Sequence, residues 1–450
     1  MGEIPRKKDK HEPGKVVAKP AQEGYNLTYK YICAYREDTK VSFDYEEETN
    51  MKWNKVLALA MTGALSLALL SACSGGTTSA PGEGDGDSSS GEKVVRIGVF
   101  EPSTGDSGPG GKQEALGIQY ANYETPTVDI GGETYQVELV MADNGSTTDK
   151  APTAAAELVN QNVSLVLGSY GSSVSIAGGP VFDEAGLAAI GVTCTNPGVT
   201  AGNDYYFRIC FLDPFQGTVL ANFAEDKFSA KKAYLLGELG NEYDQGLISY
   251  FEQAFSGEVV KDSFPTNTSD FSTYLNKAVS EGCDVIFCPV SVAYSTQIVK
   301  LAADTNLEIP ILGSDTLDNN MVLESAAGSN VQLYVSTFYQ EGGSPEFDEG
   351  IKAWLNEDAT AMTNNGGNDT ISGLTAMGYD AYYVALEALK AAGSTDPGDV
   401  KAALPGVTYT GVSGDIAFDE QGDAIRDTAY IKTADNQNVA WTLETVQTVE

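Results

Sequence analysis

Alternation is the feature that most constrains this chain. Val94-Val95-Arg96-Ile97-Gly98-Val99-Phe100 reads as a buried strand, a Gly-rich loop follows, and a helix is expected from about Lys112 to Tyr123. Residues 135–141 alternate apolar and polar side chains and predict a second strand that exits through Ala-Asp-Asn. Pro152 then opens a helix at a position where its missing N–H costs nothing. Residues 163–167 and 187–192 predict further strands. The same grammar restarts at Ala233-Tyr234-Leu235-Leu236, with strands expected near 258–264, 284–288 and 309–312 and helices between them. Strands that alternate with helices of this length require parallel sheets with crossover helices. Two such series, joined near Asp213-Pro214, predict an α/β protein of two doubly wound, Rossmann-like lobes. A long helix is expected over 374–392, and the chain from Val407 onward reads as strand-rich.

Charge and residue usage narrow the function classes. Lys and Arg number 27 against 63 Asp and Glu, a net charge of -36. A chain this acidic repels phosphate backbones, which excludes nucleic acid as a partner. The single histidine, His11, lies near the N-terminus. The rest of the chain therefore has no His-based triad, no His metal site and no His general base. No phosphate-binding Gly-x-x-x-x-Gly-Lys-Ser/Thr loop and no Cys-x-x-Cys is present, so no cofactor and no metal are expected. Among enzymes, composition leaves open a carboxylate-only hydrolase.

The N-terminal region has its own logic. Residues 1–50 show no period. Met51-Lys52-Trp53-Asn54-Lys55 then leads into the apolar run Val56 to Leu70, and Leu70-Ser71-Ala72-Cys73 follows. A short positive region, an apolar stretch and small residues at a cut site describe a secretory signal. The alternative, a buried or spanning helix, meets a run shorter than the ~20 residues a span needs. The Leu-Ser-Ala-Cys box resembles the bacterial lipobox, whose Cys receives a lipid and becomes the new N-terminus. Residues 51–73 are thus expected to be a lipoprotein signal peptide, with Cys73 the lipidation site and residues 1–50 an upstream artefact. Residues 74–92 are Gly, Ser, Thr, Pro and acid with almost no apolar side chain, a flexible linker. The expected location is the outer face of a bacterial cytoplasmic membrane, attached to the membrane through the lipid.

Binding sites in open α/β sheets lie beyond the C-terminal ends of the strands, near helix N-termini. That rule selects Pro102–Gly105, Gly168–Ser173, Thr193–Thr195, Gly237–Tyr243, Pro289–Tyr294 and Gly313–Thr316. Read alone, Gly168-Ser169-Tyr170-Gly171-Ser172-Ser173 is a strand-to-helix turn with a cap, Thr193 and Thr195 stabilise a turn, and Asp315 caps a helix.

At these loops the chain resembles the solute-binding proteins of bacterial ABC importers with the type I periplasmic-binding fold, and within them the leucine/isoleucine/valine-binding branch. The resemblance is carried by Ile97-Gly98-Val99 with Ser103-Thr104-Gly105, by Gly168–Ser173, and by Thr193-Cys194-Thr195-Asn196-Pro197. Tyr205-Tyr206-Phe207-Arg208, Asp213-Pro214-Phe215-Gln216-Gly217 and Phe418–Asp423 extend it. It implies two lobes joined by three hinge crossovers, lobe one being 94–212 and 338–419 and lobe two 213–337 and 420–450. It implies a binding protein, not an enzyme, that captures a branched-chain or other apolar L-amino acid and delivers it to ABC permease subunits. A sensory binder that feeds no importer would carry the same sequence.

The resemblance also implies roles. Ser172 and Ser173 would take the ligand carboxylate, Thr193 and Thr195 would offer carbonyl and hydroxyl groups, Tyr243 would cover the ligand, and Asp315 would face its ammonium. Asp315 stands where leucine-type proteins carry Glu. Gly110 falls where those proteins place a Tyr that closes the side-chain pocket, so space for a ligand larger than leucine is expected there. Ser291 and Val292 fall where the family often has an aromatic. An exported protein permits disulfides, and a Cys194–Cys210 bridge is expected because the two flank one loop.

Overall fold

The structure of the protein is a computed structural model that describes residues 92–448. The signal peptide, the lipobox Cys73 and all of the linker but Glu92 lie outside the described residues.

Two sheets carry the molecule. The first holds β1 (Val94–Glu101), β2 (Thr127–Ile130), β3 (Glu133–Asp143), β4 (Leu165–Leu167), β5 (Ala189–Gly191) and β6 (Tyr206–Arg208), in the order β2-β3-β1-β4-β5-β6. The second holds β7 (Lys232–Glu238), β8 (Glu258–Phe264), β9 (Val285–Phe287), β10 (Ile311–Gly313) and β11 (Leu333–Thr337). A separate hairpin, β12 (Thr408–Gly411) and β13 (Gly414–Ala417), precedes the final strands β14 (Thr428–Asp435) and β15 (Ala440–Thr448). Those two return to the second sheet, whose order is β15-β14-β11-β10-β9-β7-β8. Within each sheet the strands from the βα series run parallel, and the antiparallel pairs β2–β3, β11–β14 and β14–β15 sit toward the edges. The chain thus passes between the sheets three times: after β6, after β11, and between β13 and β14.

Helices cover both faces of each sheet, as strands buried on both sides demand. Against the first sheet, Val95, Ile97 and Val99 pack with Met377, Ala381 and Leu386 of the helix Gly373–Ala392. Phe100, Val166 and Ala189 pack on the opposite side with Leu158 and Phe182. In the second sheet Leu235 and Phe287 face one cluster, while Tyr234, Leu236 and Ile286 face the other. The apolar cluster on one face is continuous through both sheets. It crosses at Phe211 and Phe338, on two of the connecting segments, whose rings stack with centroids 4.1 Å apart.

Several details differ from the sequence reading. Gly108–Gly111, read as loop, form the first turn of the helix Gly108–Glu124. Glycine is a poor helix former, but a Cβ on Gly111 would collide with the Pro102 carbonyl and one on Gly110 with the Tyr170 ring. Close approach, not propensity, sets these residues. The same holds where this helix crosses Gly373–Ala392: a Cβ on Gly117 would strike Thr375, and one on Gly378 would strike Glu114. The edge strand β2 and the helices Pro345–Glu357 and Ala359–Asn364 are additional to the elements expected from the sequence.

The expected Cys194–Cys210 disulfide is corrected. Both are free, buried thiols. Cys194 packs with Phe100 and Phe182, whereas Cys210 packs with Ile209 and Phe211 in the cluster on the other face. The sheet separates the two layers, and the Cys194 sulfur lies against Gly191, where a Cβ would collide with it. Burial pushes the Cys194 thiol up to about 12, so it is neither nucleophile nor ready partner.

Candidate functional site

The C-terminal ends of the two sets of strands face each other across a cavity of about 60 Å³. From the first side it is lined by Ser107, Ser146, residues 170–174 and Thr193. From the second it is lined by Asn241, Tyr243, Asp244, Ser291 and Thr316. Of the six anticipated site residues, Ser172, Ser173, Thr193 and Tyr243 reach the cavity directly. Thr195 and Asp315 stand behind its wall, 0% and 1% exposed.

The wall is built from helix starts. Ser172 opens the helix Ser172–Ala185, and Gly171 before it is extended, with no side-chain cap. Ser172 Oγ accepts the Asn196 N–H at 3.2 Å, which ties the serine loop to the Thr-Asn-Pro turn. Asn241 caps the helix Glu242–Ala254, accepting N–H groups of Tyr243 and Asp244. Ser291 precedes the helix Val292–Thr305. Three helix N-termini therefore converge on one small space, and each favours negative charge.

Behind Tyr243 lies the opposite chemistry. Asp315 Oδ1 accepts the Tyr243 hydroxyl at 2.7 Å and the Gln216 amide at 2.8 Å. Burial pushes the Asp315 carboxyl up to about 6. Asp213, fully buried at the start of the helix Asp213–Phe228, is pushed up to about 8 by burial. Neither Asp213 oxygen, nor Thr195 Oγ1, nor Ser291 Oγ has a geometrically defined hydrogen-bond partner among the described residues. Buried polar atoms without partners are rare and mark places where something else belongs. The nearby guanidinium of Arg208 is engaged elsewhere: Nε donates to Asp423 Oδ1 at 2.6 Å, Nη1 to the Cys194 carbonyl at 2.9 Å and Nη2 to Thr200 Oγ1 at 3.2 Å. One end of the site thus offers donors to an anion, and the other offers carboxylates and hydroxyls to a cation. That is the polarity of an α-amino acid head group.

At the Gly110 position the structure corrects the expectation of free space. The Tyr170 ring lies against Gly110 and fills the volume a side chain there would take. Tyr170 is 4% exposed and lines the cavity. The Tyr170 ring, from the serine loop, closes this side of the cavity. Sequence reading also passed over Asp213 and Gln216, although both lie in the quoted Asp213–Gly217 run. It passed over Glu101 and Glu114 as well, two carboxylates buried beneath the serine loop. A lone acid at the end of the apolar run Val94–Phe100 was the available signal for Glu101.

Known proteins share this architecture. A family model described as periplasmic binding protein matches residues 94–438. The Leu/Ile/Val-binding protein homolog 1 of Brucella abortus is 27% identical over 336 residues, covering 73% of this chain and 87% of the relative. Among solved structures, a leucine-binding protein from Thermotoga maritima is 30% identical with a TM-score of 0.69, covering 79% of this chain and 99% of that one. The branched-chain amino acid transporter substrate-binding protein of Streptococcus pneumoniae, solved in complex with isoleucine, is 27% identical with a TM-score of 0.68. It covers 79% of this chain and 99% of that one. A benzoate-bound solute-binding protein from Rhodopseudomonas palustris, at 18% identity and a TM-score of 0.67, shares the fold. The architecture is therefore that of the type I periplasmic-binding proteins, and the chain belongs to the periplasmic binding protein family.

Proposed function

We propose that this protein captures an L-amino acid between its two lobes and hands it to the permease of an ABC importer. The observation that carries the reading is the bipolar cavity: the helix start at Ser172 with the Ser172 and Ser173 hydroxyls on one side, and Asp315 behind Tyr243, with Thr195 and Asp213, on the other. Ser172 and Ser173 receive the carboxylate. Thr193 and Thr195 flank the head group, Tyr243 covers it, and Asp315 neutralises the ammonium through the wall that Tyr243 forms. The related proteins named for leucine, isoleucine and valine support a branched-chain or other apolar side chain. Tyr170 and Val174 are the surfaces it would meet.

Capture requires motion. A cavity of about 60 Å³ is smaller than an amino acid, and the lobes would part to admit one. They would swing about the three connecting segments near 212, 337 and 419, with lobe one as 94–212 and 338–419 and lobe two as 213–337 and 420–450. Export follows from the family reading. Anchoring through a lipid on Cys73 follows from the lipobox, and Cys73→Ser moving the protein from the membrane pellet to the medium is its check.

A thermal-shift panel tests the ligand class. A true ligand at a hundred times its dissociation constant adds about 2.7 kcal/mol of stability. L-Leucine, L-isoleucine and L-valine should raise the melting temperature, and analogues lacking the amine or the carboxylate should not. A panel in which benzoates shift the protein and no amino acid does would replace this reading with an aromatic-acid binder.

A further inference from the structure

Beneath the serine loop two carboxyl groups meet without a cation. Glu101 closes β1 and is 3% exposed, and Glu114, in the helix Gly108–Glu124, is 0% exposed. Each has one oxygen committed. Glu101 Oε2 accepts the Tyr170 N–H at 2.8 Å, and Glu114 Oε1 accepts the Thr193 hydroxyl. The other two oxygens, Glu101 Oε1 and Glu114 Oε2, are fully buried and find no donor among the described residues. The two side chains are within hydrogen-bond reach of each other. Two carboxylates side by side in a dry interior cannot both ionise, and one proton between them removes the repulsion and supplies the missing donor. The titratable groups facing the pair are Asp315, Cys194, Tyr206 and Tyr170, and none brings positive charge.

We propose that Glu101 and Glu114 share one proton and act together as a positioning element. Through the Tyr170 N–H and the Thr193 hydroxyl they hold the serine loop and the threonine turn in register for the ligand carboxylate. The proposal rests on reading these two segments as the amino-acid site. Neither glutamate touches the ligand. Loss of the shared proton leaves two buried charges and frees both segments, so binding weakens on the alkaline side. Burial pushes Glu114 up to about 8 and Glu101 well above the ordinary carboxylate range, so the pair keeps a proton through neutral pH and loses the last one only on the alkaline side.

Calorimetric titration of the full chain with L-leucine from pH 6 to pH 9 tests this, alongside Glu101→Gln and Glu101→Ala. A glutamine carries its own N–H donor and still accepts from Tyr170. Glu101→Gln should bind leucine within about threefold of wild type at pH 7, while Glu101→Ala loses about tenfold or more. Above the loss of the proton, wild-type affinity should fall by about tenfold per pH unit more than that of Glu101→Gln, the linkage of one proton. Identical alkaline profiles for wild type and Glu101→Gln overturn the proposal.

Unfolding of the ligand-free proteins gives a readout that needs no ligand. An unfolded glutamate loses its proton near pH 4.3, whereas burial keeps a proton on the folded pair well beyond that, Glu114 alone being pushed up to about 8. The stability this contributes is complete below the unfolded value and is lost as pH rises to the folded one. Wild-type stability should therefore decline from pH 5 to pH 8, and Glu101→Gln should decline less, by up to a tenfold change in the folding equilibrium per pH unit. Parallel declines overturn the shared proton. Diverging declines in a protein that binds no leucine at any pH uphold it and remove the amino-acid reading instead.

Discussion

Buried acids behave differently at the connections between the lobes and at the cavity. At the connections Asp423, Asp318 and Asp380 are each answered by a cation or a dense set of donors. Asp423 pairs with Arg208 at 2.6 Å and accepts the Thr200 hydroxyl. Asp318 pairs with Lys432 at 3.0 Å, both within 1% of full burial, and also accepts from Thr337 and from the Gly373 N–H. Asp380 takes the N–H groups of Val412 and Ser413 and reaches Arg426 through the Ser413 hydroxyl. At the cavity Glu101, Glu114, Asp213 and Asp315 have no ion-pair partner among the described residues. The first arrangement fixes geometry where the chain passes between sheets. In the second, burial holds Glu101, Glu114 and Asp213 toward their neutral forms, and Asp315, pushed up to about 6, is the carboxyl left to meet a ligand ammonium. Charge is paired where the molecule must hold together and unpaired where it is proposed to bind.

The largest expected effect comes from unpairing a connection. Lys432→Met keeps the length of the side chain and removes its charge, leaving Asp318 buried alone. Removing one partner of a buried pair costs about 3–5 kcal/mol. Denaturant unfolding should register that loss. A change under 1 kcal/mol would mean that the donors from Thr337 and Gly373 suffice and that the comparison is drawn too sharply.

The contrast also marks how far the sequence could be read. Alternation located the two βα series, because strand and helix periods are local. The return of β14 and β15 to the second sheet came from the family resemblance and not from any period. Ser172, Thr193, Tyr243 and Asp315 are candidates read at loops after strand ends whose order matches a known pattern. Glu101, Glu114 and Asp213 escaped, since an acid in a sequence reads as solvated until tertiary packing buries it. Gly110 was read as missing volume, because the Tyr170 ring that fills it sits on another loop far along the chain. Helix Gly108–Glu124 began early for a related reason: its glycines answer to neighbours, not to propensity.

At the cavity the same kind of change should move affinity and spare stability. Asp315→Asn still accepts the Tyr243 hydroxyl but offers no charge to an ammonium. Losing one partner of a buried charge pair costs about 2–5 kcal/mol of binding, so leucine affinity should fall roughly 30-fold or more. Burial already works against the ionised Asp315, so unfolding stability should stay within about 1 kcal/mol of wild type. Affinity by calorimetry and stability by denaturant, measured on both Lys432→Met and Asp315→Asn, would separate the two regions. A large stability loss in Asp315→Asn would place that residue with the connections.

The smallest expected effect is none at all, and it concerns the two cysteines between these regions. Cys194 follows β5 beside the threonine turn, and Cys210 follows β6 on the first connection. A bridge between them would close a loop of about 15 residues and stabilise the fold by about 3 kcal/mol through the unfolded chain. It would also lock the ligand turn to the connection. Their placement in different apolar layers argues that turn and connection are held by Arg208 instead, whose guanidinium reaches Asp423, the Cys194 carbonyl and Thr200 at once. Reductant should leave the melting temperature unchanged. Alkylation of protein unfolded without reductant should modify both residues, while the folded protein resists, as thiols raised by burial do. A linked Cys194–Cys210 peptide by mass spectrometry would restore the bridge and make this connection covalent.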